Sequence, residues 1–434
     1  MQKLAIITSK LTKKIGESIG RGSSFPGKLA LAIKPDLLSS LEIPQGLSFI
    51  TGTNGKTSTA HFVASILEAS GEKVVHNIQG ANLPQGILST LLDQANLSGK
   101  IDADQVVLEV DEGFLGVLSK ALKPKYLLIT NLFEDQVDRF GSVKHLANQL
   151  TKQIPEETKL ILNANDPHLI YLASKIKNKS IKYYGTYLGD KDKADELACP
   201  SCGASLKYES HIYDSLGIFS CNCGLKTPDL DYELENIDLK LKQFRINGKS
   251  FHSQYDSDYM IFNLLGAISL AEEMGISYQA IQKGIESYQV GRGRMESLEF
   301  NGQPTFFNLV KNKSALDRSI DYIKSQEDSI FDLVLAINNQ PADGRDYSWV
   351  NKSNLSTLKE ANIDQIFMLG QVAKFVKDFF VNAGFEEDRI HIFDNVHEAI
   401  AKVKGDKKVY FLSNYTAMDS LLKALDQWKL KESK

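Results

Sequence analysis

A chain of 434 residues is too long for one ordinary hydrophobic core, so two or three domains are expected. Its 42% hydrophobic and 24% charged residues are typical of a soluble globular protein. A net charge of −4 excludes a general nucleic-acid binder, although it leaves a local basic patch open. No apolar run approaches the roughly 18 residues that span a bilayer, and the first residues lack the features of a signal peptide. We therefore expect a cytoplasmic protein without an integral membrane segment.

The chain opens with an N-terminal arm over residues 1–45. An amphipathic helix is predicted from Leu4 to Ile19, and a second short helix follows the turn-rich segment GRGSSFPG. At Gly46 the pattern changes to an apolar strand, a glycine-containing loop and a helix that stops at Gly71. Further short strands alternate with helices, at 73–76, 106–110, 126–130 and 159–163. This rhythm predicts a parallel sheet covered on both faces, in a domain spanning 46–290.

A polar segment that holds every cysteine interrupts this domain at about 195–230 and predicts a small insertion. Strand-like pieces and two helices follow, and the segment GRGRME at 291–296 predicts a hinge. A second alternation then predicts a smaller α/β domain of the open-sheet type over 291–434. Its strands are expected at 305–310, 331–337, 365–369, 389–393 and 408–412.

The segment TGTNGKTS at 51–58 has the composition of a phosphate-binding loop between a strand and a helix. Glycines let the backbone wrap phosphates, and amides at a helix start point toward them. In such a loop Lys56 neutralises the β- and γ-phosphates, and the hydroxyl of Thr57 ligates Mg²⁺. The first glycine of the longer GxxxxGK[ST] spacing falls at Ile50, but the strand–loop–helix context supports the interpretation. A glycine-rich turn that binds nothing is the disfavoured alternative.

A carboxylate that completes the Mg²⁺ site is expected at the end of another strand. Glu109, in VVLEVDEG, lies there, with Asp111 and Glu112 as competitors. Lys56 and Glu109 are thus the predicted catalytic residues, and Thr57 and Glu109 the predicted Mg²⁺ ligands. The alternative for Glu109 is a solvated acid at a strand end.

The four cysteines form two pairs, Cys199 with Cys202 and Cys221 with Cys223. Two pairs at a ribbon-length spacing predict a closed, structural Zn²⁺ site, although the second pair is one residue tighter than the usual CxxC. Free cysteines in a degenerate ribbon, or a redox pair, are the alternatives. His211 lies between the pairs and is a possible substitute ligand.

Several segments in order resemble the Mur ligases, ATP-dependent amide-forming enzymes of peptidoglycan synthesis: TGTNGKTST, ITNLFEDQVDRFG, LNANDP, FNLLGAISLA and GRGRME. The resemblance implies that Asp166 and Asn263 approach the nucleotide and that Arg294 contacts its ribose or phosphates. For Asn263 a helix N-cap or a packed amide is the alternative. The ATP phosphates would be bound by six consecutive residues, Thr53, Asn54, Gly55, Lys56, Thr57 and Ser58.

One branch of that family is more similar than the standard ligases. The segments RGSSFPGKLALAIKP and NNQPADGRDYSW, with the four-cysteine insertion, resemble the MurT family of ATP-binding subunits of lipid II isoglutaminyl synthase. The resemblance implies a Mur-ligase central domain with an inserted zinc ribbon and a smaller Rossmann-like C-terminal domain. It also implies that ATP, Mg²⁺ and ammonia from a GatD-type glutaminase partner convert the D-glutamate of lipid II to D-isoglutamine. Lipid II is membrane-bound, so transient contact with the inner face of the membrane is expected.

Three departures from the family pattern leave other functions open. Lys352 stands where the family has an aspartate thought to complete the partner's cysteine–histidine pair, with Asp346 or Asp343 as substitutes. Lys313 and Ala315 replace the proline and glycine of a KNPxG loop, and the second cysteine pair is shortened. A diverged MurT-like nucleotide-binding paralogue and a stand-alone Mur-type amide ligase are therefore the alternatives. The PADGRD segment and the absence of a UDP-binding domain disfavour the stand-alone ligase.

Overall fold

The computed structural model describes residues 1–18, 24–77, 81–135, 141–177, 180–191, 197–288, 291, 293–326, 329–403 and 407–432, with the backbone alone at 16–18 and 429–432. Some positions used in the sequence analysis lie outside the described residues: Ile19, 136–140, 195–196, 290 and Arg292. Contacts group the described residues into two compact units. The first takes those of 1–133 and 142–288, and the second those of 134–141 and 289–434. The segment predicted as an N-terminal arm thus falls in the first unit.

Helices and short 3-10 turns of the first unit surround its sheet. They are α1 (Gln2–Ser18), α2 (Phe25–Ile33), α3 (Lys56–Ala69), α4 (Pro84–Gln94), α5 (Leu115–Leu122), α6 (Val143–Thr151), α7 (Pro167–Lys175), α8 (Asp258–Glu273) and α9 (Tyr278–Ser287), with 3-10 turns at Leu38–Ser40 and Glu112–Phe114. Helix α1 is tied to α4 through Asp93, which pairs with Lys13 at 2.7 Å. Among the described helices, none combines the length and hydropathy that crossing a bilayer requires.

The first unit is built on a nine-stranded sheet. The strands of this unit are β1 (Gly46–Thr51), β2 (Val74–His76), β3 (Gln105–Glu109), β4 (Tyr126–Ile129), β5 (Lys159–Asn163), β6 (Ile181–Gly185), β7 (Lys207–Tyr213), β8 (Leu216–Ser220), β9 (Tyr232–Asp238), β10 (Gln243–Ile246) and β11 (Lys249–His252). Their order in the sheet is β11-β10-β9-β6-β5-β4-β1-β3-β2, and β7 and β8 form a separate hairpin. The strands from β9 to β2 pair in parallel, and β10 and β11 add an antiparallel edge.

The strand order places the phosphate loop at the point where the chain reverses direction across the sheet. From β1 the chain moves to one side, toward β3 and β2, whereas from β4 it moves to the other side, toward β5. Ligands of open parallel sheets bind outside the carboxyl ends of strands at such a switch point. The register aligns Ile50 with Glu109 on β3, and Thr51 with Ile129 on β4, so the ends of three strands meet at the loop.

The second unit contains a six-stranded sheet in the order β12-β13-β17-β14-β15-β16. Its strands are β12 (Glu296–Phe300), β13 (Gln303–Leu309), β14 (Phe331–Ala336), β15 (Ile363–Leu369), β16 (Ile390–Ile392) and β17 (Lys408–Ser413). Its helices are α10 (Lys313–Gln326), α11 (Ala373–Asn382), α12 (Val396–Lys402) and α13 (Tyr415–Glu432), with 3-10 turns at Ser348–Val350, Asn354–Glu360 and Glu387–Arg389. Neighbouring residues such as Phe306 and Phe307 belong to different apolar clusters, so both faces of this sheet are covered.

The predicted strands are confirmed to within two residues at each end. The predicted parallel sheet of the first unit is confirmed, and two antiparallel hairpins that the sequence analysis did not predict, β10–β11 and β12–β13, each form an edge of a sheet. Each hairpin turns on an Asn-Gly pair with positive φ at both residues, Asn247-Gly248 and Asn301-Gly302. Positive φ at both central residues is the type I′ geometry that joins antiparallel strands.

Candidate active site and metal centre

The loop between β1 and α3 has the backbone of a phosphate cradle. Gly52 and Gly55 adopt φ values of +126° and +84°, which glycine alone adopts readily. Lys56 is the first residue of α3, so the positive end of the helix dipole points into the loop. Thr57 and Ser58 are buried in the first turn of α3. The predicted phosphate-binding residues 53–58 are therefore brought together at one helix start.

The segment that follows β4 holds this loop in place. The backbone amide of Thr53 donates to the carbonyl oxygen of Asn131 at 2.8 Å, and the amide of Asn54 donates to its Oδ1 at 2.9 Å. The hydroxyl of Thr130 donates to the carbonyl oxygen of Asn54 at 2.7 Å. The Thr53 hydroxyl accepts from the amide of Phe133 at 3.0 Å. Sequence reasoning did not assign Thr130 and Asn131 to the site, although both lie in the segment ITNLF that carried the family resemblance.

Lys56 is buried and forms an ion pair with Glu112, whose Oε2 lies 3.1 Å from its Nζ. Burial alone would lower the pKa of Lys56, but the carboxylates of Glu112, Glu109 and Asp111 outweigh burial and raise its pKa. Three carboxylates around one ammonium leave an excess of negative charge, which favours a divalent cation and repels an uncomplexed triphosphate. The acid that pairs with Lys56 is thus Glu112, which the sequence predicts only as a competitor of Glu109.

Glu109 is buried at the end of β3 and has one free oxygen. Its Oε1 accepts from Nδ2 of Asn82 at 2.9 Å, and its Oε2 is buried with no hydrogen-bond partner among the described residues. Asn77 fixes the backbone here, since its Oδ1 accepts from the Glu109 amide at 2.8 Å. An orphaned, buried carboxylate oxygen beside a phosphate loop fits a Mg²⁺ ligand, because Mg²⁺ is bound through carboxylate and hydroxyl oxygens. The alternative of an exposed, solvated acid is wrong for Glu109, because this side chain is buried.

Asp166 and Asn263 both lie in the first unit, in structural positions. Asp166 is the N-cap of α7: its Oδ1 accepts from the His168 amide at 2.8 Å, and its Oδ2 accepts from the Leu132 amide at 2.6 Å. Both of its oxygens are thereby engaged by backbone amides. Asn263 lies inside α8 rather than at its N-cap, and its Oδ1 fills the space beside Gly55, where a Cβ would lie 2.1 Å away. A nucleotide contact by either side chain remains a prediction.

The predicted residues of the C-terminal half lie in the second unit. Arg294 lies just before β12, and Lys352 forms an ion pair with Glu134 at 3.4 Å between two exposed side chains. Asp343 accepts from the Thr416 amide at 2.8 Å and is buried, whereas Asp346 is exposed. Hydrogen bonds from Ser348, with the charge of Lys352, lower the pKa of Asp346. Asp346 is therefore the accessible acid of the pair.

The altered KNKSA stretch is the start of helix α10. Asn312 caps this helix, since its Oδ1 accepts from the Ala315 amide at 2.9 Å. Lys313 pairs with Asp317 one turn later at 2.7 Å. Asp317 is buried and also accepts from the Asn354 amide at 2.6 Å. Lys313 and Ala315 thus fit an ordinary capped helix.

The four cysteines converge, with their Sγ atoms all within 4.8 Å of one another. Cys199 Sγ lies 3.7 Å from Cys223 Sγ, and Cys202 Sγ lies 3.5 Å from Cys221 Sγ. Tetrahedral Zn–S bonds of about 2.3 Å place sulfurs about 3.8 Å apart, so these spacings fit zinc. His211 lies on β7 with its Nε2 at the carbonyl oxygen of Asp214, and it is outside this group of ligands in the described part of the chain.

The shortened second pair keeps the form of the first. In each knuckle a glycine with positive φ donates its amide to the carbonyl of the first cysteine, Gly203 to Cys199 and Gly224 to Cys221, both at 2.9 Å. The CxC knuckle closes the same loop with one residue fewer.

Two family profiles match the chain. The Mur ligase middle domain matches residues 50–271, and the MurT ligase C-terminal domain matches residues 309–418. The MurT subunit of the lipid II isoglutaminyl synthase (glutamine-hydrolyzing) of Staphylococcus aureus (strain COL) is 30% identical over 98% of both chains. The chain belongs to the MurT family. The MurT subunit of Streptococcus pneumoniae (strain ATCC BAA-255 / R6) is 31% identical over 96% of this chain and 95% of its own.

Solved structures of other proteins share the fold of this MurT-family chain. A pseudomurein peptide ligase type C from Methanothermus fervidus superimposes with a TM-score of 0.71 at 19% identity, covering 91% of this chain and 81% of its own. MurF from Acinetobacter baumannii superimposes with a TM-score of 0.64 at 16% identity, covering 92% and 80%. The predicted Mur-ligase fold is therefore confirmed.

Proposed function

We propose that this chain is the ATP-using subunit of a lipid II isoglutaminyl synthase, which amidates the D-glutamate α-carboxylate of the lipid II stem peptide to give D-isoglutamine. The observation that carries the proposal is the similarity over 98% of both chains to a MurT subunit of that synthase. The phosphate loop and its buried acids support it, because they provide what an ATP-dependent ligase requires.

The proposed reaction has two steps. A carboxylate oxygen of D-glutamate attacks the γ-phosphorus of ATP, which forms an acyl phosphate and releases ADP. Ammonia then attacks the carbonyl carbon, inorganic phosphate leaves with the electron pair of the C–O bond, and loss of a proton gives the amide. Activation is needed because a free carboxylate lacks a leaving group at neutral pH.

In this reaction Lys56 exchanges its partner. It leaves Glu112 and the loop carbonyls for the γ-phosphate, where its charge stabilises the transferring group. Thr57 and Glu109 would hold Mg²⁺, which supplies neutralisation of the phosphate charge when bound. Asn82 orients Glu109 for that role. Asp166 and Asn263 are the further proposed nucleotide residues of the first unit.

Ammonia would come from a GatD-type glutaminase subunit, as in the sequence-based expectation. All four cysteines of the chain lie in one cluster, so none serves as a separate glutaminase nucleophile. At this partner's site Asp346, exposed and held ionised by Ser348, is the proposed substitute for the acid that Lys352 replaces. We also propose that the cysteines bind one structural Zn²⁺, and that the protein works in the cytoplasm at the membrane's inner face.

A diverged MurT-like protein with lost or altered chemistry is the second candidate, favoured by Lys352 at the position of the family's aspartate. One experiment separates the two. The chain is purified with the glutaminase and incubated with lipid II, ATP, Mg²⁺ and glutamine, and the lipid II is weighed by mass spectrometry. Replacing OH by NH₂ lowers the mass by about 1 Da. A shift that Lys56→Ala abolishes supports the synthase. A complex that binds ATP without the shift supports the diverged protein, and a shift with ammonia but no partner supports a stand-alone ligase.

A further inference from the structure

Helix α1 buries one face, and its opposite face exposes large apolar side chains. The buried face consists of Ala5, Ile6 and Ser9. On the opposite side, four large apolar side chains, which we call the α1 stripe, are 55%, 42%, 58% and 59% exposed: Leu4, Ile7, Leu11 and Ile15. Spacings of three and four residues align them in one row along the helix. A contiguous exposed apolar row marks an interaction surface, whereas single exposed apolar residues are ordinary.

Positive charge accompanies the stripe in a chain whose net charge is −4. Glu17 is the one acidic residue in positions 1–34, and the basic residues there are Lys3, Lys10, Lys13, Lys14, Arg21, Lys28 and Lys34. Within α1, Lys10 donates to the carbonyl oxygen of Asp93 at 3.0 Å, and Lys13 pairs with the carboxylate of Asp93. Lys3 and Lys14 are exposed, and at 3.6 residues per turn both lie along the same side of the stripe.

We propose that α1 docks in the plane of an anionic lipid bilayer, with the stripe at the boundary between headgroups and acyl chains and Lys3 and Lys14 facing anionic headgroups. An amphipathic helix with a basic flank binds membranes through two contributions, the apolar area that it buries and its attraction to anionic lipid. A second copy of the chain is a poorer occupant, because pairing two α1 stripes would bring two rows of lysines together.

The proposal stands on α1 alone and does not require the proposed function. If both hold, the helix keeps the enzyme at the surface where a lipid-linked substrate lies. An experiment can refute the docking of α1 without refuting the proposed function, because vesicle binding needs neither ATP nor lipid II.

The test uses the full chain and vesicles of phosphatidylglycerol and phosphatidylcholine, pelleted at about 0.1 M and about 1 M salt, between which the screening length falls from about 10 Å to about 3 Å. The variant Ile7→Glu/Leu11→Glu places charge in the stripe. The matched control Val117→Glu/Leu241→Glu adds the same charge at positions that are 61% and 65% exposed outside α1. Lys3→Gln/Lys14→Gln removes the flanking charge and leaves the stripe intact.

The wild-type chain is expected to bind anionic vesicles more tightly than purely zwitterionic ones, and to lose binding at high salt. The stripe variant should bind at least about ten-fold more weakly, and the lysine variant about 25-fold more weakly, while the control binds like the wild type. Thermal unfolding and ATP binding of each variant show that the fold is intact.

Three results would overturn the proposal. The wild-type chain fails to bind anionic vesicles, or the control loses as much binding as the stripe variant. Alternatively, the stripe variant keeps vesicle binding but dissociates a dimer or releases the co-purified glutaminase, which would assign the stripe to a second copy or to that protein.

Discussion

Replacing Gly55 by alanine places a methyl group where Asn263 already lies. The new Cβ would meet Asn263 Oδ1 at 2.1 Å, and the backbone at this position has a φ of +84°. Two separate costs follow. The left-handed backbone costs an alanine about 1–2 kcal/mol, and the buried Asn263 amide must move from its place.

The second cost is of similar size to the first. Displacing a buried polar side chain into a site without partners costs about 1–3 kcal/mol. The two costs together lower the free energy of unfolding by about 3 kcal/mol, which corresponds to a fall in Tm of about 5 °C for a unit of this size. ATP affinity should also fall at least about ten-fold, because a displaced α3 start no longer aims its amides at the phosphates.

Gly71, at the other end of α3, provides the matched control. Its φ is +93°, but a Cβ there would meet nothing within 4 Å. Gly71→Ala should therefore show only the backbone cost, with unchanged ATP affinity. Thermal unfolding and isothermal titration with ATP and Mg²⁺ measure both quantities. In the double variant Gly55→Ala/Asn263→Ala the collision is relieved, so its Tm should lie above that of Gly55→Ala.

The reasoning fails if Gly55→Ala is no less stable than Gly71→Ala, or if removing the Asn263 amide restores nothing. The single variant Asn263→Ala separates the two roles of this residue. Lost ATP affinity at unchanged Tm supports a nucleotide contact, and unchanged affinity restricts Asn263 to packing.

Three further predictions follow from other contacts. Asn82→Ala should weaken Mg²⁺ about 10–100-fold in titrations of Mg²⁺-dependent ATP binding, because Glu109 loses the amide that orients it; an unchanged Mg²⁺ dependence would exclude Glu109 as a ligand. Purified chain should contain close to one zinc by elemental analysis, and Cys199→Ser should lower both zinc content and Tm; a metal-free, equally stable protein would contradict this. The pKa of Glu273 is lowered, because the hydrogen bonds to this carboxylate and the charge of Lys159 outweigh its burial. Glu273→Gln should therefore be less stable than the wild type above pH 4.5, and this difference in the free energy of unfolding should vanish as the pH falls below the lowered pKa. A difference that persists in acid would refute the ionic origin.

The strand, loop and helix around residues 51–58 were predictable because their sequence signal is local. A buried strand, two glycines and GK[ST] at a helix start specify the loop without knowledge of the rest of the fold. Thr130 and Asn131 were not predictable in the same way. Their contacts depend on β4 lying beside β1, and sequence order does not reveal which strands are neighbours.

The sequence also could not show which of the acids at the end of β3 pairs with Lys56. Glu109, Asp111 and Glu112 all lie within four positions, and only their side-chain directions separate them. A 3-10 turn at Glu112–Phe114, capped by Asp111, brings Glu112 to Lys56 and leaves Glu109 facing the loop with Asn82. A pattern of residue types predicts that an acid is present, not which one pairs with the lysine.

The antiparallel edges were missed although their signal was present. Asn247-Gly248 and Asn301-Gly302 each sit between short alternating segments, the strongest local indication of a hairpin. From the sequence we predict only strand-like pieces around the first pair and no strand before 305 beside the second. At both positions the Asn-Gly pair favours a tight turn, and the two flanking strands therefore pair antiparallel.

The segment between β6 and β9 contains the β7–β8 hairpin and the four cysteines that flank it, and it bears on how the large sheet unfolds locally. Strands β6 and β9 are parallel neighbours, so the chain between them must cross from one end of the sheet to the other, a task that a helix usually performs. Here the crossover contains the cysteine cluster. If the cysteines bind a metal, its removal should make the backbone amides of β9, β10 and β11 exchange hydrogen faster than in the metal-bound protein. The amides of β1, β3 and β4 should keep their protection from exchange. A bound metal would thus stabilise one edge of the sheet, whereas the strands around the loop at 51–58 would depend on their own hydrophobic core.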